Sequence, residues 1–110
     1  MITIKLYIPL HDNDGNDRPH QHVKLMNNLT DYEHISGFTT YDAIGHWFND
    51  GVHYKDEQRI YEFHLDGESG YYLDVEYFLN LQAKIMCKAF NQECIYMTVD
   101  NEQHFITEDK

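Results

Sequence analysis

A chain of 110 residues with 42% apolar side chains holds enough material for one hydrophobic core and not for two, so a single domain is expected. Nineteen acidic against eight basic residues leave a formal charge of −11, which excludes the Lys and Arg clusters that neutralise nucleic-acid phosphates or anionic lipid. The balance suits a cationic small molecule, a basic protein partner, or a surface whose charge only solubilises.

Residues 2–10 alternate. Ile2, Ile4, Leu6, Ile8 and Leu10 share one parity and Thr3, Lys5, Tyr7 and Pro9 the other, the pattern of a half-buried strand. A polar run from His11 to Arg18 follows, and Pro19 suits the first turn of a helix capped by Asp17 or a neighbour. Val23, Met26, Leu29 or Thr30, and Tyr32 give that helix its expected apolar stripe. Residues 38–48 read as a strand interrupted at Gly45, and Asn49-Asp50-Gly51 is a turn signal. Residues 57–65 read as the partner strand, with Glu57, Arg59, Tyr61 and Phe63 on one parity.

A second helix is marked by Tyr72, Val75, Leu79, Gln82 or Ala83, Met86 and Phe90 at spacings of three and four. Residues 94–99 form a last expected strand, with a polar tail from about residue 100. Strand, helix, two strands, helix, strand is the order of an α+β ferredoxin-like βαββαβ sandwich, one four-stranded antiparallel sheet with two helices on one face. The first residues lack the basic start and apolar core of a signal peptide, and no apolar run approaches the ~20 residues that span a bilayer. Cys87 and Cys94 lack the spacing of a redox pair, so reduced thiols and a cytoplasmic address are expected.

Eight His residues raise the question of a metal, but His20-x-His22 has no Cys or carboxylate at zinc spacing. The run from Asp12 to Asp17 misplaces its Gly for a calcium loop and has Val23 where the bidentate Glu belongs. Neither a metal nor a cofactor is expected. More informative is the stretch from Gly37 to Trp47, followed ten residues later by Glu57. Gly45 would allow a close backbone approach or a bend, with the rings of Tyr41 and Trp47 beside it. Glu57 would stand at the rim of the buried face near Trp47. The alternative is an exposed Glu at a strand entrance, paired with Arg59 or Lys55.

In these residues the chain resembles the small bacteriophage S-adenosylmethionine (SAM) lyases, also described as SAM hydrolases. The matching features are Gly45-His46-Trp47, an acidic residue about a dozen positions on (Glu57), and a helix end with Cys running into a strand, from Met86 to Met97. The likeness covers roughly residues 23–99. It implies a homotrimer of ferredoxin-like, PII-like subunits with clefts between neighbours, a single small-molecule substrate and no metal. It also implies cleavage of SAM, or of a SAM–AMP conjugate, to methylthioadenosine and homoserine lactone, in the setting of phage anti-defence. Carried over by position, Glu57 is the essential carboxylate and holds the substrate's amino group, with Tyr41, Gly45, His46 and Trp47 around the substrate. Trp47 stands where the family usually has Tyr, so a hydroxyl role is vacant or falls to His46 or Tyr41. Two other functions fit the residues: an acidic inhibitor that fills the basic groove of a host nucleic-acid-binding protein, and a PII-like adenylate sensor. The sensor is disfavoured by the shortage of Arg and Lys for phosphate.

Overall fold

The computed structural model describes residues 1–108. Its elements are β1 (Ile2–Pro9), α1 (Pro19–Asp31), β2 (Thr39–Asn49), β3 (Val52–Leu65), α2 (Tyr72–Ala89), β4 (Ile95–Val99) and β5 (Glu102–Ile106). One sheet runs in the order β2-β3-β1-β4-β5, with each neighbouring pair antiparallel. Its first four strands and two helices are the expected ferredoxin-like sandwich.

The fifth strand corrects the expected polar tail. Asp100 and Asn101 both have positive φ, 49° and 70°, and such a two-residue turn matches the twist of a tight hairpin. The chain therefore returns at once, pairing Ile95 with Ile106 and Tyr96 with Phe105. The sequence hides this strand because its apolar residues, Phe105 and Ile106, are adjacent rather than alternating. Asp50 and Gly51, with φ of 51° and 77°, make the same kind of turn between β2 and β3. Consequently β3 begins at Val52, not at Glu57, and β2 continues through Gly45 without interruption. Pairing with β1 ends at Pro9 and Gln58. Beyond that point the β2–β3 hairpin projects as a two-stranded arm, and the molecule measures 46 × 27 × 27 Å.

The core lies between the helices and one sheet face. Ile4, Leu6 and Ile8 from β1 meet Tyr61 and Phe63 from β3, Met97 from β4, and Val75, Leu79 and Met86 from α2, all buried. Helix α2 buries the stripe expected of it. In α1 the buried face is His22, Leu25 and Leu29, and Val23 is 56% exposed. Packing of the two leucines sets the helix rotation and turns Val23 outward. The polar His22 enters the core because both ring nitrogens are partnered. Nε2 donates to the Pro9 carbonyl at 2.8 Å and Nδ1 accepts from the Tyr61 hydroxyl at 2.6 Å. Arg18 occupies the cap position with no side-chain capping bond, because Asp17 is drawn instead to His11. No helix among the described residues is long and apolar enough to cross a membrane.

Burial holds the His22 imidazole below the ordinary histidine value of 6.5, so the unfolded chain binds that proton more readily than the folded one. The neutral ring's contribution to stability is therefore complete above 6.5 and is lost as pH falls through the depressed folded value. Melting temperature is expected to drop between about pH 7 and pH 5, with a shallower slope in His22→Leu, as thermal melts across that range would show. His11 acts in the opposite direction. Its hydrogen bond to Glu57 raises its pKa, so its contribution is full below the unfolded value and fades as pH rises through the raised one.

Candidate active site

At one end of the sheet an open cleft of about 570 Å³ is assembled from parts distant in sequence. One wall is an aromatic ladder on the face without helices. Tyr7, Tyr96 and Phe105 stand opposite one another across β1, β4 and β5. Their ring centroids are 4.8 Å apart for Tyr7–Tyr96 and 5.3 Å apart for Tyr96–Phe105. The facing wall is the base of the projecting arm, with Trp47, Lys55, Asp56 and Glu57. The floor comes from the loop after β1 and the loop before β4, which are stitched together. Asn13 donates to the Asn91 carbonyl and Gln92 donates to the Asn13 side chain at 2.9 Å.

The loop after β1 is closed on itself by Asp12. Its Oδ1 accepts from the backbone amides of Asp14 and Asn16 at 2.9 and 3.0 Å. Its Oδ2 accepts from Arg18 at 2.8 and 2.7 Å. The Asn16 amide and then the Arg18 guanidinium hold this carboxyl below the usual range. This is the run whose spacing suggested a calcium loop, and its leading carboxylate is committed to its own turn.

Glu57 lies on the core-facing parity of β3, but past the end of the helical cover, so its side chain is 58% exposed. Its partner is His11, whose Nε2 stands 3.4 Å from Oε2. Asp17 approaches the other ring nitrogen at 2.6 Å; that nitrogen has no hydrogen bond of good geometry, so the approach is a charge contact. Neither Arg59 nor Lys55 pairs with Glu57: Arg59 grips Asp42 at 2.8 and 3.2 Å.

Of the residues expected around a substrate, Trp47 and Glu57 both line the cleft, from opposite faces of the hairpin, since Glu57 pairs with Ile44 and Trp47 with Tyr54. Alternation sends His46 to the face opposite Trp47, where its Nδ1 lies 2.9 Å from His53 Nε2. Tyr41 shares the face of Trp47 but sits six residues away, roughly 20 Å along the strand. Its hydroxyl donates to Glu62 at 2.8 Å, and burial, followed by that bond, pushes its pKa up to about 12. Hence neither His46 nor Tyr41 supplies a hydroxyl or imidazole to this cleft. Tyr7 and Tyr96 place their rings there instead. Tyr7 was visible as an aromatic on the solvent parity of a cleanly alternating strand; Phe105 depended on a strand that leaves no periodic trace.

Gly45 is paired with Asp56 in a regular part of the ladder. A Cβ built on it would meet Gln58 Nε2 and Trp47 Nε1 at 3.6 Å and the Asp56 carbonyl at 3.7 Å, ordinary contact distances. No bend or close approach therefore requires glycine here. Gly45→Ala is expected to melt within about 0.5 kcal/mol of the parent protein, and a denaturant titration would detect a larger change.

Two solved phage enzymes match this chain in three dimensions. A phage SAM lyase in complex with S-methyl-5′-thioadenosine superimposes with a TM-score of 0.69 at 13% identity, covering 96% of this chain and 88% of the other. The chain has the phage SAM lyase fold. A phage SAM lyase in its apo state gives a TM-score of 0.66 at 12% identity with the same coverage. These are structures of the family that the motifs around Glu57 resemble. At the level of sequence, no family model and no curated protein matches the chain.

Proposed function

We propose that this protein is a SAM lyase, cleaving SAM or a SAM conjugate to methylthioadenosine and homoserine lactone. The observation that carries it is a cleft whose lining includes both Trp47 and Glu57, at the base of the arm, opposite an aromatic ladder, on a fold shared with phage SAM lyases. A substrate oxygen attacks in this reaction. One oxygen of the methionyl carboxylate bonds to Cγ, the Cγ–sulfur bond breaks, and the sulfur keeps the electron pair as a neutral thioether. Atoms and charge balance without an added water, metal or proton.

Such a step is limited by conformation, since the extended methionyl tail must curl until carboxylate and Cγ meet in line with sulfur. Fixing reactants in an attack geometry is among the largest accelerations available to a protein. Glu57 is suited to anchor the ammonium group, with His11 giving up its long contact as the substrate enters. The indole of Trp47 offers the sulfonium a cation–π face worth about 0.5–2 kcal/mol. Because opposite charges are annihilated in the transition state, rings that exclude water help more than they would in a charge-separating reaction.

A homotrimer with clefts completed by neighbouring copies is part of the proposal. Tyr54 on the arm and Phe105 on the outer sheet face are exposed, and a neighbouring copy laid there would cover the open side of the cleft. The expected setting is a phage protein that removes a methyl donor or messenger used in host defence. Incubation of purified protein with SAM, followed by chromatography, is expected to show methylthioadenosine; an unchanged substrate peak after prolonged incubation would count against the assignment.

A further inference from the structure

We propose that the cleft discriminates by charge, accepting the adenosyl sulfonium amino acid itself and rejecting its phosphodiester conjugate with AMP. This rests on the lyase assignment and narrows its substrate. Phosphate oxygens are bound by Arg or Lys side chains, by helix N-termini or by nests of backbone amides. Near the cleft these resources are scarce: the loop amides and the arginine closest to it are already committed, and the lining holds a single lysine, Lys55. The loop after β1 does form a nest-like turn, with φ of 82° at Gly15, but the Asp12 carboxylate occupies its amides from within. Arg18, the guanidinium of that loop, is spent on the other oxygen of the same carboxylate.

Besides Asp12 and His11, the charged residues of the lining are one lysine, Lys55, against three carboxylates, Asp56, Glu57 and Glu93. His11 lies between Asp17 and Glu57, so its charge when protonated is matched by two carboxylates. A phosphodiester entering here would lose water and meet like charge, whereas a sulfonium with an ammonium group meets opposite charge. Like-charge juxtaposition at a binding surface costs enough to exclude wrong partners. The expected result is a kcat/KM for SAM at least about 100-fold above that for the SAM–AMP conjugate.

The test compares turnover of both compounds by the purified full-length protein. Beside it, calorimetric titrations use sinefungin, an amine-bearing SAM analogue without the sulfonium, and AMP. A large preference for SAM supports charge discrimination. Equal or faster cleavage of the conjugate overturns it and leaves the lyase activity standing. If neither compound is cleaved, the lyase assignment fails and the titrations decide the charge question separately. Binding of sinefungin without AMP supports it, while AMP binding as tightly, or no binding of either, overturns it. Glu93→Lys supplies the internal control: the SAM-to-conjugate ratio is expected to narrow about tenfold, the step set by 1.4 kcal/mol, and an unmoved ratio would show that charge is not what the cleft reads.

Discussion

Glu57→Gln is expected to lower kcat/KM for SAM by about 100-fold or more while the protein keeps its fold. The substitution is nearly isosteric and the side chain is 58% exposed, with one long contact to His11 at 3.4 Å, so little stability is at stake. What disappears is the negative charge that fixes the substrate's ammonium group, and with it the curled tail that brings carboxylate to Cγ. Loss of an interaction that orients the reacting atoms falls on kcat as well as KM. Steady-state kinetics on wild type and variant, with circular dichroism to confirm folding, give the measurement. Undiminished turnover in the variant would remove Glu57 from the site and leave open which residue holds the amino group.

Phe63→Ala is expected to cost about 3–5 kcal/mol of folding stability, a large part of the roughly 5–15 kcal/mol that a domain possesses. Phe63 is fully buried opposite Ile4 on the central strand pair, and its ring stacks at a tilt on Phe38 with centroids 5.4 Å apart. The cavity left behind is bordered by the sheet on one side and the helices on the other, so collapse around it is limited. For a chain of this size the melting temperature should fall by roughly 15–30 °C. Tyr77→Ala, at a ring 68% exposed on α2, should change stability by no more than about 0.5 kcal/mol. Similar losses in the two variants, read from denaturant titrations, would contradict the placement of the core.

The elements were readable where one period dominates. Alternation in β1 and the three-and-four spacing of α2 were enough for the sandwich, because each buries a single face. Helix α1 was harder, since its core face includes a histidine, and only the Tyr61 hydroxyl and Pro9 carbonyl show why an imidazole belongs there. Strand β5 depended on a pair of positive-φ residues, Asp100 and Asn101, that resemble an ordinary polar tail in one dimension.

The cleft divides in the same way. Trp47 and Glu57 could be linked because both belong to one hairpin. His11, Tyr96 and Phe105 join them only through sheet order and strand ends, which no local spacing encodes. His46 and Tyr41 are near Trp47 in the chain but outside the cleft lining: His46 is held to His53 on the other face of the arm, and Tyr41 sits roughly 20 Å along the strand.

Turnover in water enriched in heavy oxygen bears most directly on a lyase that uses the substrate's own carboxylate. The product's Cγ oxygen is predicted to come from SAM and to carry no label, even after the lactone opens, because lactone hydrolysis labels the carboxyl end. Heavy oxygen bonded to Cγ, or no release of methylthioadenosine, would contradict it.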